Sequence, residues 1–246
     1  VPPALSVVVP VRDDAAALAR TLDHLGRLES ARDLEVVVAA AGDLEETRRV
    51  TAGRARLLVP GGSTRARLMN AGAAAATADV ILFLHADSFP PGDAVRRIRR
   101  ATADPRVVGG AFEHRFAEPS RRLGVIARVN RVRYRLTRNY YGDQGIFVRT
   151  SAFRRVGGYR DLALMEDLDL SRRLRRVGRT VLVREPLLTS GRRFLARGPL
   201  RTLAFIGWLL LLDGLGRDVQ RYAERWRGPA GAPPGSPWPR GAAPGP

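Results

Sequence analysis

Acidic, basic and glycine residues gather at four places in this 246-residue chain, where they could serve metal, acid–base or phosphate chemistry. The first is Leu84-His85-Ala86-Asp87-Ser88, directly after an apolar run. A carboxylate at the carboxyl end of a strand in an α/β sheet projects into the ligand crevice. With a second donor two residues away it can hold a divalent ion on a diphosphate, since Mg²⁺ needs only one or two carboxylates beside substrate phosphates. The plainer alternative is an N-cap aspartate before a helix opening at Pro90-Pro91, with His85 simply packed.

The second is Met165-Glu166-Asp167-Leu168-Asp169 at a helix start. Acids there complement the helix dipole, but three within four positions exceed what a cap requires. Helical spacing puts Glu166 and Asp169 about a turn apart and turns Asp167 to a different face. One of them can then serve as general base while the others cap or orient, and an ordinary carboxylate pKa of about 3.9 keeps such a base ionised at neutrality. The third is Gly142-Asp143-Gln144-Gly145, preceded by Tyr140 and Tyr141, where glycines permit close backbone approach to a ligand or make a hairpin turn. The fourth, Thr189-Ser190-Gly191-Arg192-Arg193, offers guanidinium groups to a diphosphate, or a solvated pair on an arginine-rich surface.

The elements that must position these residues alternate. Leu5–Val9, Leu34–Val38, Ala55–Val59 and Val80–Leu84 read as buried β-branched strands. Helices follow the first three, through Leu18, Leu22 and Leu25, through Leu44 and Val50, and from Ser63 to about Ala76. Repeated β-α units imply an open, mostly parallel sheet covered on both faces, with ligands at the carboxyl ends of its strands. Residues 113–190 are more irregular, with an arginine-rich helix (Arg121 to Arg138), a strand at Ile146–Val148, a helix over Glu166–Val177 and a last strand at Thr180–Val183. Leu203–Leu212 is strongly apolar, but a spanning helix needs about 20 residues. A C-terminal helix pair over residues 198–227 is expected, packed on the domain or lying at a membrane interface. Residues 228–246 are dominated by Pro, Gly and Ala and are expected to be disordered.

Composition narrows the field. There is no cysteine, which excludes disulfides, thiolate metal sites and a cysteine nucleophile. The net charge of +18 suggests a polyanion partner, yet every one of the 42 basic residues is arginine. That pattern fits GC-rich codon usage equally well, and neither a nucleic-acid module nor aromatics interleaved with the arginines support specific nucleic-acid binding. No basic segment or cleavage site marks the apolar run from Val1 to Val11, so a cytoplasmic location is expected, with any membrane contact peripheral, at the inner face, through the C-terminal helices.

Ser6–Asp14, Met69-Asn70-Ala71-Gly72, Phe83–Asp87, Gly142–Val148, Met165–Asp167 and Thr189–Arg193 occur in this order, and together they resemble the family 2 glycosyltransferases of GT-A fold. The nearest likeness is to a small bacterial subgroup associated with radical-SAM and selenodomain proteins. The resemblance implies one GT-A domain over 1–227, with a nucleotide-binding half (about 1–112), an acceptor half (about 113–190) and the C-terminal helices. It implies metal-dependent, inverting transfer of a sugar from a nucleoside diphosphate, with Mg²⁺ or Mn²⁺. Asp87 then matches the metal-binding acid, and His85 stands for the first acid of that motif. Asp167 matches the general base. Pro10, Val11, Asp13 and Asp14 match the loop at the base, with Arg65, Arg67, Asn70 and Ala86 near the nucleotide. Gly142, Asp143, Gln144 and Glu166 match the sugar and acceptor side, and Arg192 and Arg193 the phosphates.

One segment departs from the family. After the second strand, where an acid normally reads the uracil and ribose, the run is Val38-Ala39-Ala40-Ala41-Gly42-Asp43. This leaves three readings open: another base, a contact from Asp13 or Asp14, or a degenerate nucleotide- or sugar-binding paralogue. A nucleotidyltransferase on a related sheet is disfavoured, because Pro10-Val11-Arg12-Asp13-Asp14 lacks the Gly-rich basic loop it needs.

Overall fold

The computed structural model describes residues 3–62 and 64–227. The first residue of the helix expected from Ser63 and the expected disordered tail at 228–246 lie outside the described residues. Eight strands form one sheet: β1 (Leu5–Arg12), β2 (Leu34–Ala41), β3 (Arg56–Leu58), β4 (Val80–Phe83), β5 (Ser88–Phe89), β6 (Val107–Phe116), β7 (Ile146–Arg149) and β8 (Arg179–Thr189). Their order is β3-β2-β1-β4-β7-β6-β8-β5. The first four neighbours pair in parallel, as the β-α alternation requires. β7 runs antiparallel to both β4 and β6, so the sheet is mixed at its centre, and β6 and β8 resume parallel pairing.

Alternation along β1 builds the core on both sides. Val7, Val9 and Val11 join a cluster with Leu18 and Leu22 of α1 (Ala15–Leu25) and Val95 and Ile98 of α4 (Ala94–Ala101). Val8 points the other way, to Ala66 and Met69 of α3 (Arg65–Ala75) and Leu170 and Leu174 of α7 (Glu166–Val177). α3 can approach this closely because residue 72 is glycine. A Cβ there would meet Val8 Cγ1 at 2.3 Å.

Three readings of the sequence shift. The strand expected at Thr180–Val183 extends through Thr189. Asp87 caps no helix, because α4 begins at Ala94 after Asp93 and Asp87 lies in the turn between β4 and β5. The C-terminal segment forms α8 (Arg192–Arg197), α9 (Pro199–Gly214) and the short α10 (Ala223–Arg227). Phe205 and Leu209 of α9 pack with Leu164, Trp208, Tyr222 and Trp226. No helix among the described residues is long and apolar enough to cross a membrane.

Candidate active site

The carboxyl ends of β1 and β4 open next to the start of α7, and Arg65 ties the two together. It is the first residue of α3, whose N-cap Thr64 accepts from the Arg67 N–H. Arg65 Nη2 lies 2.5 Å from Glu166 Oε1 and 3.5 Å from Asp167 Oδ2, and Nη1 donates to His85 Nε2 at 3.1 Å. Burial works against this guanidinium's charge, but Glu166 and Asp167 outweigh it and hold its pKa above the ordinary arginine value.

Both acids are buried at the N-terminus of α7, after Met165, which takes left-handed backbone at φ 62°. That conformation costs a non-glycine residue about 1–3 kcal/mol and is retained where surrounding structure enforces it. Here the expected facing is corrected. Glu166 and Asp167 converge on one guanidinium, whereas Asp169 turns away to Arg173, 2.6 Å from its Nη2. Adjacent first-turn side chains meet because Arg65, arriving from α3, spans both with its fork.

Asp167 Oδ2 accepts the Gly142 N–H at 3.0 Å, while Oδ1 is buried with no hydrogen-bond partner among the described residues. Burial and the neighbouring Glu166 push this carboxyl up to about 7, against the opposing pull of Arg65 and the Gly142 N–H. The ordinary carboxylate value expected from sequence is therefore replaced by one near neutrality. Burial, followed by the charges of Asp167 and Glu166, raises the hydroxyl of Tyr159 well above its usual range. Tyr159 carried no motif. The only hint was its position after the Gly157-Gly158 pair, which lets the loop fold back onto α3.

His85 is half-buried and held neutral, its pKa well below the ordinary imidazole value through burial and the charges of Arg65 and Arg193. Its Nε2 lone pair receives Arg65, so the donor expected for a metal is engaged by a cation. Asp87 is more open. Its carboxylate sits 4.0 Å from Arg192 Nη2 with no tight ion pair, and burial raises its pKa, Arg193 and Arg192 opposing. Among the described residues no group of three or more His, Asp or Glu side chains is arranged to hold a metal ion. One loosely paired carboxylate nonetheless suits a Mg²⁺-like ion whose remaining ligands are phosphate oxygens and water.

Arg192 also reaches Asp14, 3.1 Å away, which links the ends of β1 and β4 through α8. Arg193 lies nearby. Burial and Arg65 depress its pKa, while Asp87 opposes them. Glu118 holds this loop by accepting from Ser190 Oγ and the Gly191 N–H, a brace that no sequence spacing revealed.

Other expected site residues serve the scaffold. Asn70 donates to the Tyr159 carbonyl and accepts from the Tyr159 N–H, so both amide ends are used. Arg67 pairs with Asp161. Gln144 is fully enclosed, donating to the Phe112 carbonyl and accepting from the Tyr141 N–H. Pro10 and Val11 are buried in β1, and the Ala86 carbonyl accepts from Thr21 Oγ1. Asp14 caps α1, accepting from the Ala17 N–H. Asp13 Oδ1 accepts from the Asp43 N–H, and Asp43 caps α2 (Leu44–Thr51), accepting from the Glu45 N–H. The displaced acid of the second loop is thus engaged as a cap, and Asp13 reaches the carboxyl end of β2 in its place. Asp143 Oδ2 faces buried His114 at 3.7 Å.

Residues 6–162 match the model of glycosyl transferase family 2. Among solved structures, the chain is similar to residues 1–349 of TarS from S. aureus, with a TM-score of 0.59 and 12% identity over 78% of this chain and 62% of that one. It is similar to the mannosyltransferase PcManGT from Pyrobaculum calidifontis, in complex with GDP-Man and Mn²⁺, with a TM-score of 0.61 and 18% identity over 95% of this chain and 67% of that one. TarS 1–349 in complex with UDP-GlcNAc gives 0.58 and 14%, over 76% and 58%. The chain therefore spans less than two thirds of the TarS chains. At these identities the likeness establishes the fold. A search of curated proteins finds no match.

Proposed function

The chain belongs to glycosyl transferase family 2, and on that premise we propose that it moves a sugar, of hexosyl class, from a nucleoside diphosphate to an acceptor hydroxyl with inversion. The observation that carries the reading is Asp167: a buried carboxylate with one oxygen fixed by Gly142 and the other with no hydrogen-bond partner among the described residues. In this reading Oδ1 takes the proton of the acceptor hydroxyl as that oxygen attacks the anomeric carbon. General-base assistance of this kind contributes roughly 10²–10⁴-fold. Arg65 and Glu166 orient Asp167, and Gly142 leaves room beside it.

Arg192 and Arg193 bind the diphosphate, using guanidinium forks suited to phosphate oxygens. Asp87 would hold a divalent cation, Mg²⁺ or Mn²⁺, and His85 would join it only by releasing Arg65. When bound, such an ion neutralises charge on the departing diphosphate. The PcManGT complex with GDP-Man and Mn²⁺ and the TarS complex with UDP-GlcNAc support a nucleotide-sugar donor. Asp13, which follows β1 and reaches the end of β2, takes over the base or ribose contact that Ala39-Ala40-Ala41 cannot make. All of these roles fall to one catalytic domain over residues 1–227.

The test is a panel of nucleotide-sugars, each with Mg²⁺, Mn²⁺ or chelator, read by thermal stabilisation and donor hydrolysis. A donor at 100 times its Kd stabilises by about 2.7 kcal/mol. A metal-dependent shift with one donor class is expected. Metal-dependent binding without turnover on any acceptor would favour a degenerate binding paralogue, and no shift at all would contradict the reading.

A further inference from the structure

The helix α5 (Arg121–Thr137) carries a face that the sugar-transfer reading does not use. Leu123, Ile126 and Tyr134 bury one side against the domain, while Val125, Val129, Val132 and Leu136 are 47% to 79% exposed on the other. At 100° per residue these four form a stripe only about 60° wide. Arg121, Arg128 and Arg135 repeat every seventh residue along one edge, and Arg122 and Arg133 line the other. The helix has six arginines and no acid. Arg121, Arg122, Arg128 and Arg135 are exposed and form no ion pair among the described residues. The neighbouring α9, which packs on α5, adds exposed Leu200 and Leu211, and Leu215 is exposed just past its end.

We propose that α5 is a docking face for an anionic lipid surface, its Val/Leu stripe entering the headgroup boundary and its exposed arginines, Arg121, Arg122, Arg128 and Arg135, meeting lipid phosphates. Charge complementarity selects this occupant. A second copy of the chain would set one acid-free arginine row against another. A nucleic acid would press phosphates onto the apolar stripe. An interfacial helix needs the combination present here, an apolar face bounded by basic residues. Docking would also bring the lipid surface near the sugar-transfer site. Only residues 138–141 separate α5 from Gly142, and the Arg133 guanidinium lies 3.9 Å from the Tyr141 ring centre.

The experiment is co-sedimentation of the full chain with vesicles of phosphatidylcholine alone, or with about one third phosphatidylglycerol. Binding to the anionic vesicles only, weakening with salt, is expected. Arg128→Gln with Arg135→Gln should weaken it roughly 25-fold, from about a fivefold contribution per arginine. Val129→Asp with Leu136→Asp should lower it at least tenfold. These positions are exposed, so melting temperature and donor hydrolysis should stay at wild-type values, which certifies folding. No sedimentation with anionic vesicles would overturn the proposal, as would equal binding by the aspartate variant. A dimer in analytical ultracentrifugation that this variant alone dissolves would assign the stripe to a second copy and overturn it equally.

Discussion

Gly142 and Asp167, 25 residues apart, are joined by a 3.0 Å hydrogen bond from the Gly142 N–H to the Asp167 carboxylate, and any side chain at 142 would displace its neighbours. A Cβ there would meet His85 Nε2 at 2.3 Å and Asp167 Oδ2 at 2.6 Å. The turn and the helix start therefore fix each other, and His85 closes the third side.

Gly142→Ala should accordingly damage transfer more than folding. Displacing Asp167 and His85 by the required ångström should lower kcat about 10²-fold, while stability falls by about 1–3 kcal/mol. Steady-state kinetics beside a melting curve checks this. Wild-type kcat with lowered stability would mean that the contact is only packing.

Asn70→Ala separates brace from binding site. Both amide ends of Asn70 bond the Tyr159 backbone, so the variant leaves a buried N–H and C=O unpaired and should lose about 1–3 kcal/mol. Donor Kd, measured by titration calorimetry, should change by less than about twofold, because both ends of the amide are held on the Tyr159 backbone. A large loss of donor affinity at unchanged melting temperature would restore Asn70 to the nucleotide site.

Asn70 and Gln144 show where the sequence stops being informative. Amides beside glycines look like ligand contacts, yet side-chain type does not reveal whether a backbone partner will arrive from 89 or 32 residues away. The parallel half of the sheet was legible because β1, β2 and β4 carry unbroken β-branched or aliphatic runs between helical periods. The antiparallel course of β7 was not, since Ile146–Arg149 has the same composition whichever way it runs. The acids of α7 were visible, but which two share a guanidinium was decided by Arg65, 101 residues upstream of Glu166.

The pH dependence has a definite sign. Asp167 has its folded pKa raised from 3.8 to about 7, so between those values the folded state binds more protons than the unfolded one. Its contribution to stability is greatest at low pH and declines as pH rises from about 4 to about 7. Activity should run oppositely, with kcat/KM rising toward a plateau as the base ionises near pH 7. Denaturant melts and pH–rate profiles check both. An acid limb near pH 4 would show that Asp167 titrates as an ordinary carboxylate.

Asp87→Ala removes the carboxylate from the β4 turn and should abolish metal-dependent nucleotide binding. Calorimetric titration of UDP and GDP with Mn²⁺ reads this. Binding in chelator, carried by Arg192 and Arg193, should persist at reduced affinity. Unchanged metal-dependent affinity would remove Asp87 from the site.

The most direct measurement compares Asp167→Asn with Glu166→Gln, both matched to wild type in melting temperature and assayed with one donor. Asn keeps the size of Asp and can still accept the Gly142 N–H through its amide oxygen, but it cannot take a proton. Transfer should fall roughly 10²–10⁴-fold with donor affinity close to wild type. Glu166→Gln should do less, since Glu166 acts through Arg65. If Glu166→Gln abolishes transfer and Asp167→Asn does not, the base has been assigned one position away from its true place. If neither changes transfer, the buried acids of α7 are structural and the catalytic account is contradicted.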